Sequence, residues 1–371
     1  MRKMLMLLCL LLLIPTLSAQ DELQEEQFLL TFIPNIQFSP IYIAEANGYF
    51  AEAGYDITVD YLNEPDVVDL VAAGQANFGM VSGEQVIMAA AQGRPVIFVY
   101  EWFQQYPIGV VVPAESDIET VDDLAGKVVG IPGLFGASYS GFTTLLSSAG
   151  MIETDVTLEA VGFNAPEVFC TGRVDASVVY INNEPLQITN RAIQDDCGEV
   201  RGVRVLPVST SADLVSNGIV TSQALIESDP EKVAAFVGAY DAGLNDVINN
   251  PAEAYLLSAE YVENLPLSDA MRGMLENLST DQKAFLAEDP DASAIADSRQ
   301  GMLDALRTDF RPDELIQFEV LLASIDLWTA EQTGFSDLSS WDAMLETLVA
   351  MDMLSNDVDI STLFTNDYLP E

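Results

Sequence analysis

Between Ser39 and Met80 the spacing of apolar and polar positions changes four times. An apolar run from Pro40 to Ala46 closes at Asn47-Gly48, and Ile57 to Leu62 has the composition of a strand. Val71-Ala72-Ala73-Gly74 ends a second helical stretch, and Asn77 to Met80 is strand again. This predicts helix, strand, helix, strand, with Ser39 as cap, Pro40 at the first helical position, and Gly48 and Gly74 as stops. Units of this kind present loop residues at the ends of parallel strands, where ligands bind.

Val96 to Val99 and Ile108 to Val112 follow as buried strands, separated by the aromatic run Tyr100 to Pro107. The pattern then restarts with a strand at Val128 to Ile131, a loop at Pro132 to Ala137 and a helix to about Ala149. A strand near Val156 to Val161, a short helix opened by Pro166, a strand at Ala176 to Tyr180 and a helix from Glu184 complete a second α/β lobe. Val203 to Val208 and Gly218 to Thr221 are further strands, between which the chain returns to the first lobe. From Pro230 on the pattern is helical, and 265–310 is an acidic helical hairpin inserted into the first lobe. The expected division is 27–107 with 216–371 in one lobe and 108–215 in the other, because roughly 350 residues are more than one core fills.

Composition narrows the setting. Met1 to Ala19 has the parts of a secretory signal: Arg2-Lys3, an apolar core from Met4 to Ile14, and Leu17-Ser18-Ala19 before Gln20. The core is too short for a bilayer, which needs about twenty apolar residues, and Cys9 lies inside it, not behind a lipidation site. An exported, soluble protein without a lipid anchor is expected, periplasmic or extracellular. The formal charge of −44 excludes nucleic acid and anionic membrane as partners. Cys170 and Cys197 remain after the signal, either bridged or as two thiols. Without a single histidine, neither a Cys/His zinc site nor a Ser/His or Cys/His catalytic arrangement is available, and no metal or cofactor is expected.

The loops after successive strands carry the candidate chemistry. Phe38, Tyr42, Trp102, Phe135 and Tyr139 are placed to sandwich a flat ring, each stack contributing about 0.5 to 1.5 kcal/mol beyond area burial. Glu84, Asn182 and Glu184 are placed to bond ring or amino nitrogens, and Asn35, Ser82 and Asn164 supply further polar groups. Glu84 has a second reading as an exposed first-turn acid answering a helix dipole. The glycine-rich stretch Pro132 to Ser140, with Ala137 and Ser138, offers free amides for an anion or a carbonyl oxygen, or else is a tight turn with Ser138 or Ser140 as helix cap. It lacks both nucleotide-binding glycine fingerprints. Arg94 and Arg173 follow glycines in loops and read as structural.

Several blocks resemble a known family. Ala44 to Phe50, Ala73 to Gly79, Asp123 to Gly130, Gly172 to Ala176 and Asn250 to Ala254 are similar to the solute-binding proteins of ABC importers that also include sulfonate and nitrate binders. Leu327-Trp328, Thr333-Gly334-Phe335, Trp341 and Thr365 to Pro370 resemble the branch that carries thiamin-pyrimidine precursors and riboflavin. Ser82 to Met88, Gly133 to Tyr139 and Asn182 to Pro185 look most like its riboflavin-binding members. The resemblance implies a two-lobed type II periplasmic-binding fold with a helical C-terminal extension. It also implies capture of a nitrogen-heterocyclic vitamin or precursor, a membrane permease as partner, and a monomer. The alternatives are a binder of a small sulfonate or other anion and, with less support, a pyrimidine-synthase-like enzyme. The synthases that share this fold use a histidine as reactant, and Phe38 stands where that histidine would align.

Overall fold

The computed structural model describes residues 23–94, 96–354 and 358–370, so the signal-like stretch Met1 to Ala19 and Cys9 lie outside the described residues. Among the described residues ten strands form two five-stranded sheets. The first holds β1 (Gln24–Thr31), β2 (Tyr55–Leu62), β3 (Phe78–Ser82), β4 (Val96–Glu101) and β10 (Asn217–Ser222), in the order β2-β1-β3-β10-β4. The second holds β5 (Ile108–Pro113), β6 (Val128–Ile131), β7 (Thr157–Ala160), β8 (Ala176–Tyr180) and β9 (Val203–Pro207), in the order β7-β6-β8-β5-β9. Strand β1 lies ahead of the first element that the hydrophobic pattern predicts.

Burial explains the composition of the strands. Every residue of β3, β4 and β10 is buried, and β3 and β4 accordingly read as largely apolar runs, while the edge strand β2 alternates. β1 runs parallel to β2 and β3, and β6 parallel to β7 and β8, so the loops beyond their carboxyl ends gather on one side of each sheet. β10 is antiparallel to β3 and β4, and β5 is antiparallel to β8 and β9. The chain passes between the sheets twice, after β4 and again after β9. The architecture is thus α/β and two-lobed.

Local chemistry departs from two expectations. Ser39 is the first residue of the helix Ser39–Ala46, not its cap, and its hydroxyl is buried without a partner among the described residues. The cap lies one turn earlier, where the Asn35 side chain accepts the Gln37 amide at 3.0 Å and opens a 3-10 turn at Ile36–Phe38. Ser138 and Ser140 likewise fall inside the helix Gly136–Ser148, whose cap position is Phe135 with no side-chain bond. Gly48 and Gly74 do end their helices with positive φ, +79° and +66°.

The helix Pro230–Asn249 lies across Ser39–Ala46 and fixes the loop that carries Gln37 and Phe38. Gly243 permits the approach, since a Cβ there would stand 2.2 Å from the Pro40 carbonyl oxygen. Asp269–Leu286 and Ala292–Asp309 are helices that bury Met271, Leu275, Met302, Leu303 and Leu306 in the same apolar cluster as Phe236 and Trp328. Farther along, Gly334 bridges Glu101, and Leu363 and Thr365 pair with Phe98, so the final segment lies along β4. Cys170 and Cys197 are joined by a disulfide. Arg94 and Arg173 pair with Asp69 and Glu159.

Gly243→Ala should destabilise the protein by about 1–3 kcal/mol, because the opposing atom is a backbone carbonyl that cannot rotate away. Urea unfolding measures this, and a midpoint equal to wild type would contradict the close approach.

Candidate functional site

The loops at the carboxyl ends of the parallel strands enclose a cavity between the lobes. From the first lobe come Thr31 and Phe32 at the end of β1, Gln37 and Phe38, Asn63 and Glu64 after β2, Trp102 and Phe103 after β4, and Asn217 of β10. From the second come Pro132, Phe135 and Ser138 after β6, Phe163 after β7, and Tyr180 and Glu184 at the end of β8. Among the described residues no Lys or Arg side chain is in this wall. About 80 Å³ remains inside, and an outer chamber of about 300 Å³ shares Phe32, Phe163 and Glu184 with it. An apolar cavity of about 150 Å³ holds benzene, so a fused-ring ligand requires the walls to part.

Polar contacts cross from lobe to lobe around the cavity. The Asn182 amide donates to Gln37 Oε1 at 2.7 Å and to Ser324 Oγ at 2.8 Å. The Tyr180 hydroxyl donates to Asn217 Oδ1 at 3.0 Å, and Tyr106 Oη donates to the Ala137 carbonyl at 2.9 Å. Phe32 and Phe163 meet edge to face with centroids 4.8 Å apart. Phe32 has φ +82°, a left-handed conformation that costs a bulky residue strain and is held here at the cavity mouth.

A carboxyl pair joins Glu64 of the wall to Glu84 behind it. Glu64, the first residue of the helix Glu64–Ala72, accepts the Ser82 amide at 2.9 Å, the Ser82 hydroxyl, and the Ala137 amide of the other lobe. Ser82 Oγ also contacts Glu84 Oε1. A serine hydroxyl has one proton, so bonding to both carboxyls requires one of them to be protonated. Burial pushes both acids up, and in Glu84 the neighbouring Glu64 charge adds to it. Loss of hydration pushes Glu184 up to about 7, and Glu101, buried beneath Ser216 and Ser336, also to about 7.

The sequence-derived candidates distribute unevenly. Phe38, Trp102, Phe135, Ser138 and Glu184 line the cavity, and Asn35 lines the outer chamber. Trp102 lies roughly parallel to both Phe38 and Trp328 at 5.5 Å, so much of its face is covered, and its indole N–H has no partner among the described residues. Tyr42 is buried elsewhere, stacked on Tyr261 and bonded to Tyr61. Ser82, Glu84 and Ala137 stand behind the wall, and Glu84 is fully buried, not an exposed first-turn acid. Tyr139 points outward to Glu153, and Asn164 is exposed. Asn182 holds the lobes together and is absent from the cavity wall. Sequence reasoning missed Phe32, Gln37, Glu64, Phe163, Tyr180 and Asn217. Asn63-Glu64-Pro65 carried a usable signal, since Pro65 marks a helix start directly after a strand.

The profile of the family described as NMT1/THI5 like matches residues 35–254. The chain belongs to the NMT1/THI5-like family. Among relatives, the riboflavin-binding protein RibY of Chloroflexus aurantiacus is 31% identical over 96% of this chain and 89% of its own length. A formylaminopyrimidine-binding protein of Halalkalibacterium halodurans is 29% identical over 75% of the chain and 84% of its length. A 4-amino-5-hydroxymethyl-2-methylpyrimidine phosphate synthase of Aspergillus parasiticus is more distant, 26% identical over 76% of the chain and 83% of its length. The periplasmic sulphonate-binding protein SsuA of Escherichia coli superposes with a TM-score of 0.53 over 81% of this chain and 96% of its own, at 16% identity, a likeness of fold alone. The two lobes of this NMT1/THI5-like protein are therefore of the periplasmic-binding type. Among the described residues no helix is long and apolar enough to cross a membrane, and no cluster of His, Cys, Asp and Glu forms a metal site.

The raised carboxyls predict how stability varies with pH. An unfolded glutamate titrates near 4.3, so between about pH 4.5 and 8 the folded state holds protons that the unfolded state has released. Stability from this source is full below that window and is lost as pH rises through it. The melting temperature should fall between pH 5 and 8, and Glu84→Gln, which keeps the shape without the ionisation, should flatten that fall. A variant with the wild-type slope would place the shared proton elsewhere.

Proposed function

We propose that this protein is the extracytoplasmic solute-binding component of an ABC importer, and that it encloses an uncharged or weakly charged nitrogen heterocycle between its lobes. Riboflavin is the first ligand and a thiamin pyrimidine the second. The observation that carries this reading is the cavity wall itself: aromatic rings from both lobes, two carboxyls, three carboxamides and no basic side chain. Flat apolar faces suit a ring, and fixed polar groups at its rim suit ring nitrogens and carbonyls. The 31% identity to RibY supports riboflavin over the pyrimidine.

Affinity arithmetic favours the larger ring. Nanomolar binding needs about −12 kcal/mol, which over about ten heavy atoms approaches the ceiling of 1.5 kcal/mol each, whereas a flavin needs far less per atom. In this reading residues 27–107 and 216–371 move as one lobe and 108–215 as the other, hinged at the two crossings. The loaded monomer then docks on a membrane permease. Catalysis is not part of this reading: the chain has no histidine, and Phe38 packs against Trp102 in the wall.

Titration with riboflavin should quench its fluorescence at micromolar protein. Absence of quenching together with heat released by an aminopyrimidine would reverse the order of ligands. Phe135→Ala and Phe163→Ala should each weaken riboflavin binding about tenfold, the loss of one stack and its buried area. Tyr139→Ala, outside the cavity, should leave it unchanged. Equal effects at all three positions would argue against this cavity as the site.

A further inference from the structure

The glycine-rich start of the helix Gly136–Ser148 is where an acidic ligand group would find backbone donors, and the protein has already put a carboxylate there. Glu64 reaches across from the first lobe to the Ala137 amide. Gly136, at φ +69°, is shaped around it, since a Cβ at that position would stand 2.5 Å from Glu64 Oε1. Glu64 is buried, and it accepts from two amides and a hydroxyl, which is the donor set of an ionised carboxylate. The proton shared with Glu84 therefore belongs on Glu84, which donates to Ser82 Oγ while the Ser82 hydroxyl donates on to Glu64.

We propose that Glu64 is a charge-selectivity residue, a built-in anion that fills the amide site between the lobes and so confines this cavity to neutral or cationic ligands. It lines the cavity beside Asn63 and faces Phe135 and Ser138 on the opposite wall. An incoming sulfonate or phosphate meets a fixed negative charge and finds its backbone donors taken. A neutral heterocycle meets a carboxylate able to accept from a ring N–H or amino group. The inference rests on the proposed cavity as the ligand site but not on which heterocycle fills it.

The test uses wild type, Glu64→Ala and Glu64→Gln, with ethanesulfonate and inorganic phosphate as anionic probes and riboflavin as the neutral one. Calorimetry and thermal shift read binding. Wild type should bind both anions weakly at most, and Glu64→Ala should bind ethanesulfonate at least tenfold more tightly than wild type does. If Glu64→Ala does not fold, Glu64→Gln carries the test. It keeps the volume and removes the charge, and millimolar ethanesulfonate should raise its melting temperature while leaving that of wild type unchanged. Folded variants that ignore both anions would overturn the proposal. Gain of anion binding in a protein that never binds riboflavin would sustain the selectivity role and remove the flavin reading, so the two failures are distinct.

Discussion

Strand β10 is the piece without which the first lobe has no continuous sheet. It sits between β3 and β4, buried along its whole length, and pairs with both. Because it comes from residues 217–222, the first sheet closes only after the chain has built the second lobe and returned. The loops that face the cavity inherit their positions from this arrangement. β4 delivers Trp102 and Phe103 and β10 delivers Asn217 to the same rim only because the two strands are neighbours. A βαβ chain that stayed in one sheet would place these residues without a second wall to oppose them.

That second wall is held against the first by polar contacts as much as by rings. Asn182 with Gln37 and Ser324, Tyr180 with Asn217, and Glu64 with Ala137 all join groups far apart in sequence. Buried polar groups must be satisfied, so parting the lobes exposes each of these donors and acceptors to water, which can replace them at modest net cost. Such contacts set a geometry without locking it. A ligand shifts the balance between open and closed lobes only by what it gains in one state over the other.

The hydrophobic pattern made the α/β units, the restart near residue 108 and the helical tail legible, because helix stops such as Gly48 and Gly74 are local chemistry. The cavity was legible in part. Phe38, Trp102, Phe135, Ser138 and Glu184 lie just past strand ends and reach it, while Tyr139 does not, since one helical step of about 100° turns it away from Ser138. Glu84 and Tyr42 were legible as loop-adjacent but not as buried, for their partners Ser82, Tyr61 and Tyr261 are set by packing. Nothing local to residue 64 indicates that its carboxylate will meet an amide at residue 137. Ser39 failed as a cap because the 3-10 turn capped by Asn35 runs directly into the helix, so Ser39 is already helical.

The pairing of the final segment with β4 has a consequence for solubility. β4 is the last strand of its sheet and entirely buried in composition, Val96 to Glu101, so a bare edge there would offer unpaired backbone donors and acceptors flanked by apolar side chains. Such an edge is a template for strand addition from another molecule. Here the Phe98 amide donates to the Leu363 carbonyl at 2.8 Å, the Thr365 amide donates back to the Phe98 carbonyl at 3.0 Å, and Glu101 is bonded to Gly334. The pairing covers the edge with the protein's own backbone, which turns a potential nucleus of aggregation into a closed border.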